Sequence, residues 1–176
     1  MLDAGGGWTG FSALVEDVPV IEAFASQGTD VIGLFCVGPG QADLDYLRHF
    51  SENGMFLPQK TVIVLNAGLV LSGRPAMGAF KPIFDSPVVK AAAKRGAKVV
   101  MMPALSCMAE VTDRGLTFAD AALGKVKPGQ PVMSLFDPTR VNEWWTKKVP
   151  AFFGQFPPDW LPTPAGAKPL EMVEEA

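Results

Sequence analysis

The sequence predicts an α/β fold built on a parallel sheet. Three observations carry this. Thr61 to Leu65 is apolar or β-branched at every position without alternation, the pattern of a strand buried on both faces. Comparable runs, Asp30–Val37 and Lys98–Pro103, lie on either side of it. Helix-spaced segments separate the runs, giving the strand–helix alternation of α/β domains.

Met1 to Trp8 reads Met-Leu-Asp-Ala-Gly-Gly-Gly-Trp, so the chain begins at the end of a strand rather than before one. Leu14 to Gln27 has Leu14, Val18, Ile21, Phe24 and Ala25 near helical spacing, with Gly28 as its stop. Asp30–Val37 is expected to be a buried strand, broken by Gly38-Pro39-Gly40. Gln41–Asn53 is expected to be a helix with Leu44, Leu47 and Phe50 on one face.

The Lys60–Gly68 strand stops at Asn66, Ala67 and Gly68. Leu69–Lys81 mixes glycine and proline with apolar residues and carries no clear period. Ser86 is a good N-cap and Pro87 a good first helical residue, and Lys94, Arg95 and Gly96 suit a helix end. Lys98–Pro103 is a further short buried strand. Thr117 opens a short helix to Leu123, with Asp120 completing an approximate capping box. Pro138–Lys148 is the last helix, with Val141, Trp144 and Trp145 apolar. Residues 1–148 make one domain. Residues 149–176 are a proline-rich tail, expected to be extended, its Phe152, Phe153, Phe156 and Trp160 able to lie on the domain.

The formal net charge of −3 gives no global basic field toward nucleic acid. No apolar run is long enough to span a bilayer, and the first residues lack the pattern of a signal peptide, so a cytoplasmic protein is expected. Cys36 and Cys107 read as buried inert thiols, without zinc spacing. The single histidine, His49, reads as structural on a helix; a Ser-His-Asp triad would have to use it. There is no Gly-x-Ser-x-Gly elbow, no Gly-x-Gly-x-x-Gly dinucleotide fingerprint and no Walker A loop. Gly5-Gly6-Gly7 reads either as backbone N–H groups open to a phosphate or as a flexible turn. Lys90, Lys94, Arg95 and Lys98 are a solvated helix end or a small site for nucleic acid or an acidic partner. In open parallel sheets ligands sit beyond the carboxyl ends of the strands, which marks Asn66 as a candidate ligand contact.

The order of these elements resembles the C-terminal portion of ParA/MinD-type (deviant Walker) P-loop ATPases. Leu2-Asp3-Ala4-Gly5-Gly6-Gly7 is similar to the end of that family's Walker B strand. Val62-Ile63-Val64-Leu65-Asn66 resembles the strand whose terminal Asn reads the adenine base. Val99-Val100-Met101-Met102-Pro103 is similar to the later strand whose Pro-containing loop borders the base. The resemblance spans roughly Leu2 to Trp145. The family's N-terminal strand, Walker A loop and phosphate-binding lysines have no counterpart here, which implies a truncated chain or a degenerate relative.

The resemblance implies a three-layer α/β/α fold with a mostly parallel sheet, P-loop NTPase-like but lacking the N-terminal P-loop strand. It implies Mg²⁺ held through water by Asp3, and ATP near Gly5, Gly6 and Gly7, with adenine on Asn66 and Pro103, Ala104 and Leu105 as the pocket wall. It implies a homodimer acting in plasmid or chromosome partition or conjugal transfer, with DNA or a DNA-bound protein as partner. The missing strand leaves a sheet edge unpaired, which favours dimerisation or poor solubility. A second expectation is a non-catalytic α/β interaction domain whose Trp/Phe-rich C-terminal segment docks a partner. A third is a small-molecule enzyme using the strand-end crevice, for which no nucleophile or base is recognisable.

Overall fold

Burial decides which strand is central. In the computed structural model, which describes residues 9–52 and 56–161, every residue from Thr61 to Leu65 is buried within strand β2, Lys60–Asn66. That strand lies between β1, Ile32–Val37, and β3, Lys98–Met102, and pairs with both in parallel. The protein is thus α/β with a small parallel sheet of three strands among the described residues. The expectation of a strand buried on both faces holds for β2.

It fails for its neighbours, because both are edges. On β1, Leu34 is 52% exposed and Cys36 is also exposed, while Val37 is buried. On β3, Val100 is buried but Lys98 is exposed. A run of apolar residues cannot by itself tell a central strand from an edge.

Parallel strands need crossovers, and these supply the helices. Odd-numbered strand residues Val37, Ile63 and Leu65 pack in one cluster with Leu44, Leu47, Phe80, Ile83, Val88, Val89 and Ala92. These come from the turn of 3₁₀ helix Gln41–Leu44, from α3 (Asp45–Glu52), from Phe80 ahead of α5 (Lys81–Asp85), and from α6 (Pro87–Lys94). The predicted face Leu44, Leu47, Phe50 is the buried one. Helix α6 begins at Pro87 as expected and ends at Lys94, with Gly96 just beyond it at φ +101°. Ser86 stands at its N-cap but makes no side-chain capping bond. The segment Leu69–Lys81, unreadable from its period, holds one short helix, α4 (Ala76–Ala79).

The helix expected over Leu14–Gln27 is instead two. Helix α1 spans Thr9–Asp17 and α2 spans Val20–Ser26, separated at Val18-Pro19. Proline disfavours the helical conformation in the residue before it, which stops α1. The break also moves the buried face. Phe11, Val15 and Val20 pack with Phe50, whereas Leu14, Val18 and Phe24 are exposed.

After β3 come α7 (Met108–Asp113), α8 (Phe118–Ala122) and α9 (Asp137–Glu143) around a core of Leu105, Cys107, Val111, Ala121, Met133, Val141, Trp144 and Val149. At α8, the Thr117 hydroxyl accepts from the Asp120 N–H at 3.1 Å. The Asp120 carboxylate returns to the Thr117 hydroxyl at 2.9 Å rather than to its backbone, so the box is only half of the expected one.

The tail expected to be extended from Val149 continues the helix. A π-helical turn, Trp144–Lys148, joins α9 to α10, Val149–Phe153. In a regular α-helix the ring of Pro150 would meet the carbonyl of Thr146, and a widened turn relieves that clash. Phe152 and Phe156 then cover the even-numbered face of the sheet, on Val62, Val64 and Val100. Trp144 is buried, but Trp145, expected on the same apolar side, is 43% exposed.

Gln155 closes the outer edge of β3. Its carboxamide accepts from the Met101 N–H at 3.3 Å and donates to the Met101 carbonyl at 3.4 Å, as a neighbouring strand would. No described strand pairs with the outer edge of β1. No helix among the described residues is long and apolar enough to cross a membrane.

Candidate functional site at the carboxyl ends of the strands

The three strands end side by side, and each end is followed by a shaped turn. After β1, the Asp43 carboxylate accepts from the Gly40 N–H at 2.9 Å. Gly38 is needed there, since a Cβ on it would lie 2.5 Å from Asp43 Oδ2 and 3.1 Å from Leu69 Cδ1. After β2, Asn66 Oδ1 accepts from the Gly68 N–H at 3.0 Å and caps the 3₁₀ turn Ala67–Leu69. One lone pair of the amide oxygen is therefore committed to the local fold, and the amide NH₂ is left as the donor.

Asn66 is paired in register with Met102, the last residue of β3. Pro103 follows directly, so the structure brings Asn66 and Pro103 to adjacent strand ends, ~5 Å apart across the ladder. The Pro103 carbonyl accepts from Trp144 Nε1 at 2.8 Å, which ties this loop to the π turn. Ala104 is exposed, and Leu105 is buried in the helical core.

Ala104 and Leu105 form one wall of a cleft of about 220 Å³. Ser106, Thr139, Arg140, Glu143, Trp144 and Lys148 complete it. Asn66 is not among its lining residues. Arg140 Nη1 bonds the buried Asp137 carboxylate at 3.1 Å, and Lys147 bonds Glu143 at 3.3 Å. Arg140 and Lys148 were not expected at the site. A signal for them was present: Arg140, Trp144 and Lys148 recur every fourth residue, which aligns side chains along one helix face.

Asp3, Gly5, Gly6 and Gly7 lie outside the described residues. Among the described residues no group of three or more His, Cys, Asp and Glu side chains is arranged to hold a metal ion. Cys107 donates weakly to the Asp137 carbonyl at 3.9 Å. Burial first, and then the Asp137 carboxylate, pushes the Cys107 thiol up, so it stays protonated and unreactive. Cys36, expected to be buried, is exposed on β1 because that strand is an edge; neither cysteine forms a disulfide. His49 is exposed and packs edge-on against Phe50 at 5.2 Å. Of the basic cluster, Lys90 pairs with Asp85 at 3.5 Å, and Arg95 lines a second cleft of about 300 Å³ with Pro58, Thr61 and Ala97, at the opposite end of the sheet.

Comparison of the chain with protein-family models, with curated proteins and with solved structures yields no match.

Proposed function

We propose that this chain is a nucleotide-binding domain of the ParA/MinD type, or a remnant of one, serving DNA partition or transfer. The observation that carries the reading is the register of Asn66 with Met102. It puts a side-chain amide beside the Pro103–Leu105 loop at the carboxyl edge of a parallel sheet, where such sheets take their ligands. With Oδ1 committed to Gly68, the amide NH₂ donates to a ring nitrogen of adenine. In this reading Asp3 would supply the Mg²⁺ ligand, and Gly5, Gly6 and Gly7 would serve the γ-phosphate. It further entails a cytoplasmic, nucleotide-gated homodimer that meets DNA or a DNA-bound protein. Hydrolysis requires a phosphate-gripping loop that this sequence does not contain.

Calorimetry with Mg-ADP and Mg-ATP tests it, using Asn66→Asp. Aspartate keeps the oxygen that caps Gly68 and loses the donor. Binding is expected to weaken about tenfold, the worth of one hydrogen bond in a desolvated site, with the melting temperature held. No heat at millimolar nucleotide in the unmodified protein refutes the reading.

A second reading, an interaction domain without catalysis, draws support from the surface rather than the cleft. Of the Trp/Phe-rich C-terminal segment expected to dock a partner, Phe152 and Phe156 are spent on the core, while Phe153 stays 44% exposed. Leu135 and Phe136, by contrast, are 84% and 64% exposed, with Val132 and Leu123 exposed nearby. Four large apolar side chains left in solvent within residues 123–136 suit contact with another molecule.

A further inference from the structure

We infer that the cleft between the Pro103–Ser106 loop and the α9–π segment is an anion site, and that it takes the phosphates of a small phosphorylated ligand. This extends the nucleotide reading and rests on it for the identity of the ligand, but not for the anion chemistry itself.

The cleft holds two cationic groups, Arg140 and Lys148, and two hydroxyl residues, Ser106 and Thr139. Its one lining carboxylate, Glu143, is already bonded by Lys147 from outside the lining set. Lys148 forms no ion pair among the described residues, so its charge is open to a ligand. Arg140 uses Nη1 on Asp137. That bond fixes the guanidinium while leaving its other N–H groups for a forked contact with phosphate oxygens.

The walls are held independently of any ligand. Trp144 anchors the loop through Pro103, and the Cys107 thiol meets the Asp137 carbonyl at the start of α9. A volume of about 220 Å³ admits a phosphate or pyrophosphate group rather than a whole nucleotide. The loop that walls the cleft at Ala104 and Leu105 begins at Pro103, beside Asn66. A base at Asn66 and phosphates in the cleft therefore share one loop. On this inference the phosphates are held by side chains of α9 and the π turn.

Calorimetry with three probes separates the parts: pyrophosphate alone, adenosine alone, and ADP. The unmodified protein is expected to bind pyrophosphate. Lys148→Gln, at an exposed unpaired position, is expected to weaken pyrophosphate and ADP about tenfold and to leave adenosine unchanged. Arg140→Lys retains the charge facing Asp137 but loses the fork, and is expected to weaken the same two ligands. Asn66→Asp is expected to do the reverse, weakening adenosine and ADP and sparing pyrophosphate. Pyrophosphate binding without adenosine binding keeps the anion site and removes the base site, assigning the cleft to another phosphorylated small molecule. Absence of pyrophosphate binding, or equal binding by Lys148→Gln, overturns the inference.

Discussion

Trp144→Phe probes the joint on which the whole candidate site hangs. The indole N–H donates to the Pro103 carbonyl at 2.8 Å, and the ring is only 3% exposed. Phenylalanine removes the donor and leaves that carbonyl facing a buried side chain. An unmet, part-buried acceptor costs about 1–3 kcal/mol. Trimming the bicyclic ring to a single one removes contacts with its neighbours in the helical core, where Phe118 lies 5.0 Å away centroid to centroid. That adds about 1 kcal/mol of lost burial. A destabilisation of about 2–4 kcal/mol is expected, which moves a urea midpoint by about 1 M or more at ordinary slopes. Unfolding followed by far-ultraviolet circular dichroism measures it, with the slope expected to stay constant. A loss below about 0.5 kcal/mol would mean that the loop holds its shape without the indole, and the argument for a pre-formed cleft wall would fall.

The other predictions concern the strand ends and the acid limb. Gly38→Ala drives a methyl against Asp43 Oδ2 and Leu69 Cδ1, displacing the carboxylate from the Gly40 N–H. It is expected to cost about 1–3 kcal/mol and to lower the melting temperature by several degrees. Lys125, then Thr117, hold the Asp120 carboxyl below its ordinary value of 3.8. A depressed carboxyl stabilises the fold above the unfolded-state value and loses that contribution as pH falls through the folded-state value. Urea midpoints taken from about pH 5 down to about pH 2 are therefore expected to fall less steeply in Asp120→Asn than in the unmodified protein.

The middle of the fold was legible because local pattern and burial agree there. Val62–Leu65 has no polar residue to face solvent, and the Thr61 hydroxyl donates to the Pro58 carbonyl, so the run suits burial on both faces and the crossovers on either side supply it. The same logic misjudged Leu34 and Cys36, since exposure at an edge depends on what packs against it, which no local pattern records. Pro19 was in plain view, but the helix period ran through it and hid the break in α1 and α2. At Val149 the error was reversed: the dense prolines suggested an extended tail, while a widened turn lets Pro150 stay helical. For the site, Asn66 and Pro103 were legible as strand ends. The shared helix face of Arg140 and Lys148 was legible too, but not its place beside Ala104 and Leu105, which depends on the path taken by all of α7 to α9.

The π turn has a consequence for how the chain can change. An α-helix advances ~100° per residue, so each added or removed residue swings everything after it around the axis. The wide turn at Trp144–Lys148 sets the phase between two loyalties of one rod: upstream, Val141 and Trp144 face the helical core, and downstream, Phe152 and Phe156 face the sheet. Were the same five residues wound as regular α-helix, both phenylalanines would swing off Val62, Val64 and Val100. Gln155 would leave the β3 edge in the same motion. The width of this turn, beyond the contacts of Trp144, is what keeps the two halves of the rod in phase.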